Sequence, residues 1–123
     1  MKPILLVFLG GGIGSVLRYL IGKSLNPYFT HFYLGTFLVN ILGCLIIGTV
    51  LGYSLKSEYL NPQLTFLLVA GFCGGFTTFS SFAFEQYELL RNGAFLQFAF
   101  YILASLATGL AAVATGFWIV RQI

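Results

Sequence analysis

Few side chains in this chain of 123 residues can do chemistry, and most of those sit inside apolar sequence. Asn40 interrupts a hydrophobic run, with Thr36 one helical turn before it. A carboxamide left bare in hydrocarbon costs several kcal/mol. Asn40 therefore either bonds a neighbouring helix or presents a donor to a ligand. Tyr101, Ser105, Thr108 and the more distant Thr115 also follow helical spacing. Such a hydroxyl stripe either passes a hydrated ion along stepwise or stitches helices together. Phe79 and Phe82 lie three residues apart, hence on one helical face. An aromatic ring is electropositive at its edge, so two edges can meet a small desolvated anion without a fixed countercharge. That arrangement lets the anion leave again; core packing is the plainer alternative for the pair. Arg18, near the end of the first apolar run, either snorkels to lipid headgroups or draws anions into a vestibule. Glu85 comes late in its run, near a span end. One His (His31) and two scattered Cys (Cys44 and Cys73) cannot build a metal-ligand cluster or a nucleophile–base pair. An enzyme reading has no residues to rest on.

The segment that carries Phe79 and Phe82 is itself unusual. It reads Gly71-Phe72-Cys73-Gly74-Gly75-Phe76-Thr77-Thr78-Phe79-Ser80-Ser81-Phe82. Two adjacent glycines and four hydroxyl residues weaken a helix where lipid would punish a break. A break is tolerable there only if protein or a bound ion satisfies the freed carbonyls. The alternative is a continuous helix whose Ser and Thr bond back to the preceding turn. Gly10 with Gly14, Gly48 with Gly52 and Gly71 with Gly75 each fit a small-xxx-small helix contact.

These residues need a membrane to hold them. The chain is 59% hydrophobic and only 7% charged, with a mean hydropathy of +0.95, against roughly a quarter charged in a soluble domain. Four apolar stretches, about 3–21, 32–55, 62–90 and 94–120, are each long enough to cross a bilayer as a helix. The breaks fall at 23–27, Lys56-Ser57-Glu58, Asn61-Pro62 and Arg91-Asn92-Gly93. The reading is one all-α integral membrane domain over 1–123, with the third helix broken in mid-membrane. Lys2 ahead of an apolar core imitates a signal peptide, but no Ala-x-Ala site follows, so the segment reads as a retained helix. The basic residues are dispersed and offer no patch to a nucleic acid. With four spans, Lys2, Lys56 and Arg121 share one side, while Arg18, Lys23 and Arg91 share the other. Three against three gives the positive-inside rule nothing to act on. Such a chain can insert in both directions, and two opposite copies can pair about an axis lying in the membrane.

The chain resembles the Fluc (CrcB) family of small fluoride channels along nearly its whole length. The matching pieces are Gly10-Gly11-Gly12-Ile13-Gly14-Ser15 with Leu17-Arg18-Tyr19, then Gly35-Thr36-Phe37-Leu38-Val39-Asn40, then the glycine- and hydroxyl-rich string ending at Phe82. Ser81 stands where many relatives carry Thr, which keeps the hydroxyl. The resemblance implies a dual-topology, antiparallel homodimer in a bacterial inner membrane, with two passive fluoride pores that relieve fluoride toxicity. It implies a structural sodium ion at the dimer centre, held by the backbone carbonyls of Gly74 and Thr77 of each subunit. Phe79 and Phe82 would be the pore-lining rings, with Asn40 facing the same anion. Thr36, Ser81, Tyr101, Ser105 and Glu85 would form a polar track, and Arg18 the vestibule cation. The rival of another class is a small proton-coupled multidrug exporter of dual topology, which needs a titratable acid deep in the membrane. A non-conducting assembly subunit is a second rival.

Overall fold

The computed structural model describes residues 1–57 and 60–123; Glu58, in one of the predicted breaks, lies outside them. Four helical spans run up and down: Lys2–Tyr28, Leu34–Lys56, Pro62–Arg91 and Phe95–Gln122. The described residues hold no strand. Helix α1 (Lys2–Leu25) continues four residues past its expected end at Ile21 and then tightens into a 3-10 turn, Asn26–Tyr28. Lys23-Ser24-Leu25 therefore belongs to the helix. Pro27 falls in the first turn of that 3-10 segment, where a residue without an N–H is tolerated. Helix α2 (Leu34–Lys56) and the last helix, α6 (Phe95–Gln122), fall within two residues of the predicted limits.

The third span is built from four helical pieces, with an extended pair before the last. A single turn, α3 (Pro62–Thr65), is capped by Asn61, whose side chain accepts from Gln63 N at 2.9 Å. A π-helical stretch, Phe66–Cys73, follows, and then α4 (Gly74–Phe76). Thr77 and Thr78 are extended, with ψ of 158° and 117°. Helix α5 (Phe79–Arg91) completes the span. The predicted break is thus real and lies just after the glycine pair. The π-helical stretch before it was not foreseen.

Glycines set how closely the spans approach. A Cβ on Gly10 would run into the Leu67 carbonyl, and one on Gly14 into the Phe72 carbonyl. From the other side, a Cβ on Gly75 would strike the Gly11 carbonyl. All these contacts join α1 to the third span. Gly48 does the same for α2 against Val113 of α6, and Gly52 meets Phe117. The three predicted small-xxx-small pairs are therefore helix contacts, and α1 is a packed member of the bundle. Gly93, at φ +73°, closes α5: Gly93 N donates to Leu90 O and Ala94 N to Leu89 O, the paired bonds of a left-handed glycine terminus. At the other end of the bundle, Lys56 Nζ donates to the Val120 carbonyl at 3.1 Å, satisfying an acceptor in the last turn of α6.

Candidate functional site

The site grows out of Thr78. Its backbone leaves helical geometry, so its N–H and C=O both need new partners in mid-membrane. Asn40 supplies them together. Thr78 N donates to Asn40 Oδ1 at 2.8 Å, and Asn40 Nδ2 donates to Thr78 O at 3.2 Å. The Thr78 hydroxyl meanwhile accepts from Ser81 N at 3.1 Å and caps α5. One residue thus ends one helix and starts the next. Asn40 is accordingly a helix-bonding residue on its Oδ1 and one Nδ2 hydrogen, which leaves one N–H for any ligand. Because Thr78 N turns to Asn40, the Gly74 carbonyl loses the donor that a continuous helix would have given it. Among the described residues, neither Gly74 O nor Thr77 O accepts a hydrogen bond.

On the far side of the break stands Arg18. Its Nε donates to the Gly75 carbonyl at 2.9 Å, with the Ser15 hydroxyl at 3.5 Å from the same oxygen. The sequence placed Arg18 at a membrane face; the structure instead turns it into the bundle. The last carbonyls of α4 are unpaired and lie at the negative end of a helix, where a guanidinium is the natural partner. With Arg18 set aside, the cations that flank the four spans are Lys2, Lys56 and Arg121 on one side of the topology against Lys23 and Arg91 on the other, three to two rather than three to three.

A cavity of about 440 Å³ opens beside the break. Asn40, Gly74, Thr77, Phe79, Phe82 and Ser105 line it, together with Cys44 and Cys73. Phe79 and Phe82 do share a face, their ring centroids 6.4 Å apart at 45°. Phe79 is 81% exposed on the bundle surface, beside the exposed Gly74 and Ser80. The Ser105 hydroxyl is buried without a partner among the described residues.

A second polar cluster lies beyond Phe82, whose ring is 5.2 Å from that of Tyr101. Glu85 is 6% exposed and accepts from the Thr36 hydroxyl at 2.5 Å and from the Tyr101 hydroxyl at 2.8 Å. The acid that stands late in its run, near a span end, is thus enclosed: α5 turns its polar face inward, and Phe32, Phe82 and Tyr33 pack around Tyr101. The hydroxyl stripe on α6 divides. Tyr101 joins Glu85 and Ser105 borders the cavity, but Thr108 and Thr115 face outward and bond back to Ala104 O and Ala111 O. A threonine with no helix in reach satisfies itself on its own preceding turn. Ser81 sits in the first turn of α5, outside the cavity lining. The sequence missed three residues here. Asn26 reads as a turn former yet bonds Thr36, Gln86 is buried with neither amide atom partnered among the described residues, and Ser15 reaches the break. No spacing links Asn26 to Thr36, so that contact had no signal in the sequence.

The sequence pattern of the family described as CrcB-like protein, Camphor Resistance (CrcB), matches residues 5–117. The chain belongs to this family. Three CrcB relatives, each named fluoride-specific ion channel FluC, align with it almost end to end. One from Gloeothece citriformis is 48% identical over 123 residues, covering 99% of each chain. One from Phocaeicola vulgatus is 48% identical over 96% of this chain and 98% of its own. One from Flavobacterium psychrophilum is 45% identical over the full length of both. As a CrcB protein with four spanning helices, the chain is a multi-pass membrane protein and not an enzyme.

Proposed function

We propose that this chain is a passive fluoride-selective channel that lets the anion leave the cytoplasm. The observation that carries the reading is the helix break at Thr77–Thr78, with Asn40 and the two phenyl rings on one cavity, in a chain whose full-length relatives are named fluoride-specific channels. Fluoride is small and strongly hydrated, so a narrow path must replace its water with close, oriented donors. Ring edges and the spare Asn40 N–H can do this without binding the ion irreversibly. Beyond Phe82, Thr36, Tyr101 and Glu85 continue the polar route, while Ser81 and Ser105 flank it, and Arg18 supplies positive potential next to the break. Hydrogen fluoride enters cells as a neutral molecule and then dissociates. Export of the trapped anion needs no fuel, since the membrane potential supplies about 2.3 kcal/mol per charge per 100 mV.

The working unit is an antiparallel homodimer. Gly74, Ser80 and Phe79 are exposed at the break, and an unpaired backbone turn cannot face lipid. A second, inverted copy laid over the cavity would enclose it, and the near-even split of cations allows both insertions. Sodium fits the centre of such a pair. Gly74 O and Thr77 O are hard oxygen donors without hydrogen-bond partners, which suits a hard cation. When bound, the ion would tie the two breaks together as a structural part. The exporter reading is not favoured by the names of the relatives.

Reconstitution in liposomes tests the reading. A fluoride electrode should record release driven by the fluoride gradient alone once a potassium ionophore balances the charge. No fluoride release, with proton-driven uptake of organic cations instead, would overturn it.

A further inference from the structure

We infer that Asn26, at the end of α1, is a positioning residue for the anion route: it aims the Thr36 hydroxyl at Glu85. The inference rests on the fluoride-channel reading for its flux readout. Thr36 N lies in the first turn of α2, where backbone donors have no helical acceptor, and the N-cap residue Tyr33 makes no side-chain cap. Asn26 provides that acceptor from another helix: Thr36 N donates to Asn26 Oδ1 at 3.1 Å. A backbone N–H can only donate, so this bond fixes which end of the carboxamide is oxygen. The other end, Nδ2, then has to face Thr36 Oγ1, which it does at 3.3 Å. A threonine hydroxyl has one proton. With one lone pair held by Nδ2, the hydroxyl is oriented so that this proton goes to Glu85 Oε1, 2.5 Å away. Tyr101 donates to Oε2, so each carboxylate oxygen receives one fixed donor.

The wedge that holds Asn26 is equally specific. A Cβ at Gly35 would lie 2.8 Å from Asn26 Oδ1 and 2.7 Å from Gly22 Cα. Only glycine lets the start of α2 sit this close to the end of α1. Without the carboxamide, the Thr36 hydroxyl is free to rotate toward a backbone carbonyl of the preceding turn. One carboxylate oxygen then stands undonated beside the route of an anion.

The test is a double-variant cycle with two readouts: fluoride efflux from liposomes and the infrared carboxylate band that Glu85→Gln removes. Asn26→Ala and Thr36→Val should each cut efflux about tenfold, as expected for one hydrogen bond to a charged group. The double variant should be no slower than the slower single one. The Glu85 band should move in the same direction in both single variants. A helix-capping role alone leaves that band in place. If Asn26→Ala does not elute as an assembled protein, Asn26→Asp replaces it, since it keeps the acceptor for Thr36 N and turns the donor into a second acceptor that competes with Glu85 for the Thr36 proton. An unmoved Glu85 band, or efflux losses that multiply to about a hundredfold, overturns the inference. Absence of fluoride efflux in the unmutated protein would instead sink the channel reading, and the infrared comparison would still decide the position of the Thr36 proton.

Discussion

At the residue scale, the two phenylalanines separate chemistry from packing. Phe79 is largely exposed on the bundle, so Phe79→Ile removes little contact within one chain. Phe82 touches both Phe79 and Tyr101, so Phe82→Ile also loosens the ring cluster, by about 1–2 kcal/mol. Both variants should abolish fluoride efflux, while thermal unfolding in detergent shifts only for Phe82→Ile. Efflux at the unmutated rate in both would remove the ring-edge mechanism. Asn40 behaves differently because its amide satisfies two backbone groups of Thr78. Asn40→Ala strands a buried N–H and C=O, each costing about 1–3 kcal/mol. It should lower the unfolding midpoint by several degrees as well as stopping flux, and a midpoint equal to that of the unmutated protein would show that the pairing at the break is dispensable.

At the element scale, the spans were legible because hydropathy and length alone select them, and the break because glycines and hydroxyls crowd mid-span. What the sequence could not display is where each polar atom turns. Arg18 reads as an end-of-span cation until the orphan carbonyls of α4 exist to receive it. Glu85 reads only as a late acid near a span end until Thr36 and Tyr101, 49 and 16 residues away, close on it. Those contacts depend on how all four spans dock, and no local pattern encodes docking. The π-helical stretch is hidden for the same reason, since Phe66–Cys73 looks like any apolar helix. The glycines, by contrast, carry a testable register. A Cβ on Gly14 meets the Phe72 carbonyl and lies 2.8 Å from Phe76 N, whereas Gly12 has nothing within 4 Å. Gly14→Ala should destabilise the bundle by about 1–3 kcal/mol. Gly12→Ala should be neutral or stabilise by up to about 1 kcal/mol. Thermal unfolding of the two variants side by side checks the pairing of α1 with the third span, which equal effects would contradict.

At the scale of the whole molecule, one chain leaves its most unusual feature uncovered. Gly74, Thr77 and Phe79 border the cavity at the break, with Gly74 and Phe79 exposed, and carbonyls without donors there are groups that hydrocarbon cannot solvate. An inverted copy would resolve this, and sodium bridging the two breaks would explain why those carbonyls are left without donors. Exhaustive removal of sodium should therefore stop efflux, and adding it back should restore it; flux indifferent to sodium would argue for hydrogen-bond donors from the partner instead. Orientation has its own test, because the cations at the two faces stand nearly level and the positive-inside bias is correspondingly small. Ser24 is exposed at the end of α1, so a Ser24→Cys protein with Cys44 and Cys73 replaced by serine presents one reactive thiol per chain at one membrane face. A membrane-impermeant maleimide applied to intact cells should label about half of the chains, and the remainder only after permeabilisation, as an equal mixture of insertions demands. Complete labelling, or none, would mean that every copy faces the same way. Two such copies cannot be superposed by an axis in the membrane plane, and the cavity beside Thr77 and Thr78 would then have to be closed by something other than this chain.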